Sequence, residues 1–287
     1  MTVVVTGASG FLGTAVVSRL LSDGLPTVAV GGPRIRRPTF RSEVDWLPYS
    51  ADLEALAQQI ADQKPSVIIH CATHYVLSHE PSDIAPMFDA NLHFGTHILE
   101  ALKTSDAQFV NISTYFQHQR TAKGQSTSMY AISKSAFSSI VQWYGGNTGL
   151  KITDLTLFDT YGPGDERNKL IPGLLACARS GTTLELRSAS AAVDLCYVDD
   201  VVAAIASVVS KRESGSWSVR WGQPITVADI ARTTEEVTGR RVVSRFNDSL
   251  VVAGLPTEAP PMLSGWRPSV ELREGIARCW QAVKDGA

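Results

Sequence analysis

The chain is poor in cysteine. Cys71, Cys177, Cys196 and Cys279 are the only four in 287 residues, and no two stand as Cys-x-x-Cys. That scatter excludes a dithiol redox motif and a paired-cysteine zinc site, and it suits reduced core thiols and a cytoplasmic protein. An excess of one charge is missing too. A net charge of −2 gives no broad attraction to nucleic acid or to an anionic membrane, so neither is an expected partner. No apolar run approaches the roughly 20 residues of a membrane span. The N-terminus runs straight into an apolar stretch and leaves no room for a signal peptide. Low-complexity tracts and internal repeats are absent as well. What remains, 44% hydrophobic and 19% charged, is a globular composition, enough for one large core or for a domain with a lobe.

The first residues organise the rest. Thr2–Val5 is an apolar, mostly β-branched run that reads as a strand, and Thr14–Leu21 reads as a helix. Between them stands Thr6-Gly7-Ala8-Ser9-Gly10-Phe11-Leu12-Gly13. Strand, glycine turn and helix in this order form the context of dinucleotide binding. Gly7 permits the tight turn, Gly10 lets a pyrophosphate approach the backbone, and Gly13 lets the helix pack closely on the strand. The free N–H groups of the helix start would face the phosphates. The spacing is three and three rather than two and three, and an ordinary strand-to-helix turn can look the same.

A second strand, Thr27–Val30, ends at Gly31-Gly32-Pro33, with Arg34, Arg36 and Arg37 just beyond. Folds that prefer NAD carry an acid at this strand end, for the adenosine ribose. Glycine beside guanidinium groups would instead accept a 2′-phosphate, so NADPH is the expected cofactor, with Arg34 first and Arg36 second as its holders. Further strands are predicted at Val44–Leu47, Ser66–His70, Phe109–Ile112 and Lys151–Phe158, with helices within Pro81–Leu102 and over Met129–Tyr144. This alternation predicts an α/β fold, a Rossmann-type doubly wound parallel sheet over residues 1–162. Residues 163–287 are expected to form mainly a smaller mixed α/β substrate lobe, with some later segments returning to the first domain. Its elements are a helix at Leu170–Ala178, a strand at Val193–Val198, a helix from Asp200, and segments at Ser216–Arg220, Thr226–Val237, Arg241–Phe246 and Ser269–Val283.

Tyr130 and Lys134 are four apart on a predicted helix and share one face. The lysine's charge is expected to lower the phenol's pKa from about 10, making it an acid/base for a carbonyl or an alcohol. Thr114, at the end of the preceding strand, can bond the same oxygen. His93 and His97 stand at helical spacing, but Phe94 fills the acid position of a zinc-protease motif, so no metal is expected. Asp199-Asp200 before an apolar run reads as a helix cap. The six tryptophans, Trp266 among them, are assigned to packing.

At this point the sequence resembles the extended short-chain dehydrogenase/reductases that act on nucleotide sugars. Beyond the glycine turn, the marks are Asn91-Leu92-His93-Phe94-Gly95-Thr96, Ser113-Thr114, Tyr130-Ala131-Ile132-Ser133-Lys134, Tyr161-Gly162-Pro163-Gly164, Tyr197-Val198-Asp199-Asp200-Val201 and Gly265-Trp266-Arg267-Pro268. The resemblance implies Tyr130 as acid/base, Lys134 on the nicotinamide ribose and Thr114 polarising the reacting oxygen. It implies Gly7, Ser9, Gly10, Phe11, Leu12, Gly13, Asp52, Leu53, Cys71, Ala72, Thr73, Asn91 and Phe158 around the cofactor. It implies a nucleoside-diphosphate sugar substrate and a homodimer. The sequence also departs from the pattern. Sugar-nucleotide dehydratases place Asp-Glu after the catalytic Thr; here stand Tyr115-Phe116, so water elimination lacks its carboxyls. Asp159 stands for a usual Asn, and Val193 for a usual Arg before Asp194. Phe158-Asp159-Thr160-Tyr161-Gly162-Pro163-Gly164-Asp165 resembles bacterial 4-ketoreductases of 6-deoxysugar nucleotides most, with Thr73, Thr114, Tyr115, Phe116, Asp159, Arg167 and Lys169 as substrate contacts. The expected reaction is NADPH-dependent reduction of a C4 ketone. A 4-epimerase with retained NAD and a non-catalytic redox sensor are the alternatives.

Overall fold

The computed structural model describes residues 1–32, 44–186, 188–246 and 254–285. Its centre is a seven-stranded, all-parallel sheet. The strands are β1 (Val3–Thr6), β2 (Thr27–Gly31), β3 (Asp45–Pro48), β4 (Val67–His70), β5 (Gln108–Thr114), β6 (Lys151–Leu157) and an edge strand at Gly215–Val219. The spatial order is edge strand, β6, β5, β4, β1, β2, β3, which is the Rossmann-type architecture expected. Parallel strands need crossovers, and helices supply them on both faces: α1 (Phe11–Ser22), α2 (Leu53–Asp62), α3 (Ile84–Phe88), α4 (Phe94–Leu102) and α5 (Met129–Asn147).

Alternation along each strand splits the core in two. Val3, Val5, Val67, Ile69, Val110 and Leu155 pack with α1 on one face. Val4, Ile68 and Phe109 pack with Leu56 and Ile60 of α2, Ile98 of α4 and Phe137 of α5 on the other. Ser128 caps α5 through a bond from Ala131 N to its Oγ at 3.1 Å. This fixes where Tyr130 and Lys134 start their turn. Between α3 and α4, Asp89–His93 widens into one π-helical turn, which carries Asn91 inward.

The rest of the chain adds β7 (Asp159–Tyr161), α6 (Leu170–Ser180), β8 (Leu184–Leu186), β9 (Ala192–Val193), β10 (Leu195–Tyr197) and α7 (Val198–Lys211). After these come β11 (the edge strand Gly215–Val219), β12 (Ile225–Thr226), α8 (Val227–Thr238), β13 (Ser244–Phe246) and α9 (Leu272–Asp285). Some segments beyond residue 162 were expected to return to the first domain, and β11 pairs with β6 and extends the central sheet. Val193–Val198 was expected as one strand. The buried Asp194 carboxylate breaks it by turning inward to accept the N–H groups of Trp221 and Gly222, at 2.8 and 3.0 Å. Asp200 is no helix cap either, because it lies inside α7. Its carboxylate accepts from Ser269 N, Ser269 Oγ and Val270 N and ties the segment before α9 to the fold.

Candidate active site

All the candidate loops leave the carboxyl ends of the parallel strands, where open α/β sheets place their ligands. The β1–α1 turn is shaped by contact. Gly7 has φ +67°, and a Cβ there would stand 2.6 Å from Ala72 N. A Cβ on Gly13 would run into the Gly7 carbonyl. Gly10 begins α1 in an extended conformation, no side chain caps it, and no acid stands in the first turn. The N–H groups of Phe11 and Leu12 are thus left for an anion. Ser9 Oγ accepts from Gly32 N at 3.2 Å and joins the turn to the end of β2. A side chain at Gly31 would meet Trp46 and Ser9 at about 3 Å, so this strand end has no room for an acid. These residues fit a dinucleotide. Arg34 and Arg36 lie outside the described residues. Asp52 caps α2 by accepting from Ala55 N at 3.0 Å, which sets Leu53 as its first residue.

After β4, Cys71 N and Ala72 N bond to Thr6 O and Thr6 Oγ1. Burial pushes the Cys71 thiol up to about 12, which keeps it from acting as a thiolate. Thr73 Oγ1 and His74 N both donate to Asn91 Oδ1, at 3.0 and 2.7 Å. Asn91 Nδ2 donates to His74 O and Ser133 Oγ. Asn91 therefore clamps the loop after β4 onto α5, with its amide fully used by protein partners.

Thr73, Thr114 and Tyr130 come together: the hydroxyls of both threonines hydrogen-bond the Tyr130 phenol. The expected coupling to Lys134 is not what governs this phenol. Burial pushes it up to about 12, against the two threonines and the charge of Arg167, which pull it down. Lys134 lies fully buried one turn on and donates to Ile112 O at 2.8 Å. Burial lowers it to about 8, with Asp154 and Cys71 acting the other way. Tyr130 keeps its proton at neutral pH, so it is set up as an acid.

Beyond Thr114, Tyr115 stacks between Phe116 (4.4 Å) and Phe158 (5.0 Å). Its hydroxyl donates to Asp159 Oδ2 at 2.8 Å, and Lys169 Nζ lies 3.2 Å from Oδ1. Burial lowers the Lys169 pKa, with Asp159 opposing. Arg167 spends two of its three nitrogens on the Asp165 carboxylate and the Thr160 carbonyl, and its guanidinium lies 4.5 Å over the Phe11 ring. It joins the substrate side to the glycine turn. Two residues of the cluster escaped the sequence reading. Tyr75 stands edge-on to Tyr130 at 5.1 Å and beneath Lys169 at 5.2 Å. Arg220 lies 5.1 Å over Phe158, beside Asp194. An aromatic in a strand-end loop leaves no periodic signal, and Arg220 becomes relevant only once β11 joins the sheet. His93 pairs with Asp89 on the surface, and among the described residues no group of His, Cys, Asp and Glu could hold a metal. No helix among them is long and apolar enough to cross a membrane.

Residues 3–219 match the model of the NAD dependent epimerase/dehydratase family. A CDP-abequose synthase of Salmonella typhimurium is 25% identical over 289 residues, covering 96% of this chain and 95% of the relative. A dTDP-4-dehydro-6-deoxy-D-allose reductase of Streptomyces bikiniensis is 24% identical over 293 residues, covering 91% and 87%. Among solved structures, the UDP-glucose 4-epimerase of Thermus thermophilus in complex with NAD superposes with a TM-score of 0.81 at 22% identity, covering both chains fully. That last likeness is one of fold.

Proposed function

The chain belongs to the NAD dependent epimerase/dehydratase family, and from that premise we propose that it reduces the C4 ketone of a nucleoside-diphosphate 4-keto-6-deoxyhexose with NADPH. The observation that carries the reading is the Tyr130 phenol, protonated at neutral pH and held by the Thr73 and Thr114 hydroxyls. Reduction of a ketone needs a proton donor at the carbonyl oxygen. Bound nicotinamide cofactor supplies the hydride. Tyr130 gives its proton to O4 as that oxygen gains charge, Thr114 donates a second hydrogen bond to it, and solvent returns the proton to the phenol. Lys134 holds the nicotinamide ribose. Gly7, Gly10, Gly13 and the start of α1 hold the pyrophosphate. Tyr75 and Phe116 present an apolar wall to the deoxy carbon, and Lys169 faces the substrate's phosphates.

The preference for NADPH rests on Gly31, where Trp46 and Ser9 leave no space for a ribose-binding acid, and on the arginines that follow in sequence. A homodimer is part of the proposal. Ile132 and Trp143 are 45% and 59% exposed and lie three turns apart on one face of α5, a stripe that a second copy would cover. So is a cytoplasmic setting, in keeping with four free cysteines. A panel of enzymatically generated 4-keto sugar nucleotides, assayed with NADPH and with NADH, tests the reading. Turnover of a 4-keto-6-deoxy sugar, fastest with NADPH, is the expected result. Purified protein that carries NAD and interconverts two intact sugar nucleotides would replace it with the epimerase reading.

A further inference from the structure

A row of polar side chains crosses the sheet one layer below the candidate site. Thr6, His70, Asn111 and Asp154 are register partners on β1, β4, β5 and β6. Each is 3% exposed or less. His70 Nδ1 bonds the Thr6 hydroxyl at 2.8 Å, and Asn111 Nδ2 donates to Asp154 Oδ1 at 3.0 Å. The row sits on the face that carries α5, since His70 packs against Phe137 of that helix and Phe94 of α4. Asp154 has no ion-pair partner within 4 Å among the described residues, and Lys134 is as deeply buried. A carboxylate and an ammonium left alone in a protein interior are each heavily penalised, and facing one another offsets much of that penalty.

We propose that Asp154 is the counter-ion of Lys134, a positioning residue that, fixed by Asn111, holds the lysine as an ammonium under the nicotinamide side of the site. The groups facing Lys134 support this assignment. From β4 come His70 and the Cys71 thiol. Burial pushes both toward their neutral forms, so they offer no negative charge. His118, in the turn after β5, is half-buried and interacts with Asp154. The Tyr130 phenol on α5 stays neutral. Lys134 Nζ reaches Ile112 O on β5 at 2.8 Å, one residue from Asn111, whose register and hydrogen-bond partner on β6 is Asp154. Asp154 is the remaining anion among these groups, and its charge opposes the effect of burial on Lys134. The role of Lys134 at the ribose rests on the proposed function; its charge state does not.

The test is therefore made without turnover. In protein labelled with ¹⁵N-lysine, the Nζ resonance of Lys134 is identified by its loss in Lys134→Arg and titrated in the wild type and in Asp154→Asn. The expected midpoint falls by about one pH unit or more in the variant, the size of an opposite-charge effect at close range. Equal midpoints overturn the proposal even if the enzyme reduces 4-keto sugars. A second variant, Asp154→Glu, keeps the charge and should return the Lys134 midpoint most of the way to the wild-type value. A midpoint as low as in Asp154→Asn also overturns the proposal.

Discussion

Tyr115 donates its phenolic hydrogen to Asp159, and Lys169 closes the other side of the same carboxylate. The Asp159 carboxylate adds negative charge beside the proposed sugar-nucleotide substrate, itself an anion. The lysine offsets that charge and lies over the Tyr75 ring, which itself stands edge-on to Tyr130. Lys169→Met should therefore raise KM for the sugar nucleotide about ten- to a hundredfold, one charge-assisted contact, and leave kcat within a few-fold. Initial rates over a substrate series check it. A loss confined to kcat would place Lys169 in the chemistry instead.

Tyr130→Phe should lower kcat by about 10²–10⁴, the usual loss for one proton donor. Cofactor binding does not need the phenolic hydroxyl, so an NADPH titration followed by fluorescence should give the same affinity for the variant and the wild type. Because burial holds the phenol at about 12, the reducing direction should show no loss of rate from Tyr130 ionisation anywhere below about pH 10, the ordinary phenol value. A variant with near wild-type turnover would remove Tyr130 from the mechanism.

The central fold could be read from the sequence because its signals are local. β-branched runs, the glycine turn and the helical spacing of Tyr130 and Lys134 all act within a dozen residues. The parts that escaped depend on distant pairing. β11 follows α7 and reads like any short strand until its register with β6 brings Arg220 over Phe158. Asp194 reads as part of a strand and Asp200 as a helix cap. Their carboxylates are instead spent on backbone N–H groups some 27 and 69 residues away. The sign of the Tyr130 shift was misread for a related reason. Helix spacing shows the lysine nearby, whereas burial, the larger effect, is set by the loops that close over the phenol.

His70 makes the fold sensitive to acid. Its ring is fully buried among Phe94, Phe109 and Phe137, and its pKa falls to about 3 from an ordinary 6.5. Between those values the unfolded chain binds a proton that the folded chain refuses. Stability from this residue is therefore complete above pH 6.5 and falls as the pH drops toward 3, by about 1.4 kcal/mol per unit. His70→Asn keeps an acceptor for Thr6 and does not titrate. Urea unfolding at several pH values should show a shallower decline for this variant between about pH 6 and pH 4. Identical slopes would mean that other groups carry the acid sensitivity.

Incubation with an intact nucleoside-diphosphate glucose should yield no 4-keto-6-deoxy product. Dehydration needs an acid for the leaving hydroxyl at C6 and a base for the proton at C5, both within hydrogen-bond reach. Directly after Thr114, where the resemblance to the dehydratases would call for two carboxyls, the chain has Tyr115 and Phe116. A carboxylate does come close, because Asp159 bonds Tyr115, but its two oxygens already face a phenol and an ammonium. To act as the base it would have to break the bond to Lys169, and Phe116, stacked on Tyr115, adds only apolar surface. That surface suits a methyl group, whose burial is worth about 0.8 kcal/mol. The substrate should thus arrive already dehydrated by another enzyme. If the 4-keto-6-deoxy sugar does form from the intact nucleotide, Asp159→Asn identifies the agent. Loss of that product in the variant would make Asp159 the base, whereas persistence would point to a carboxyl elsewhere in the chain.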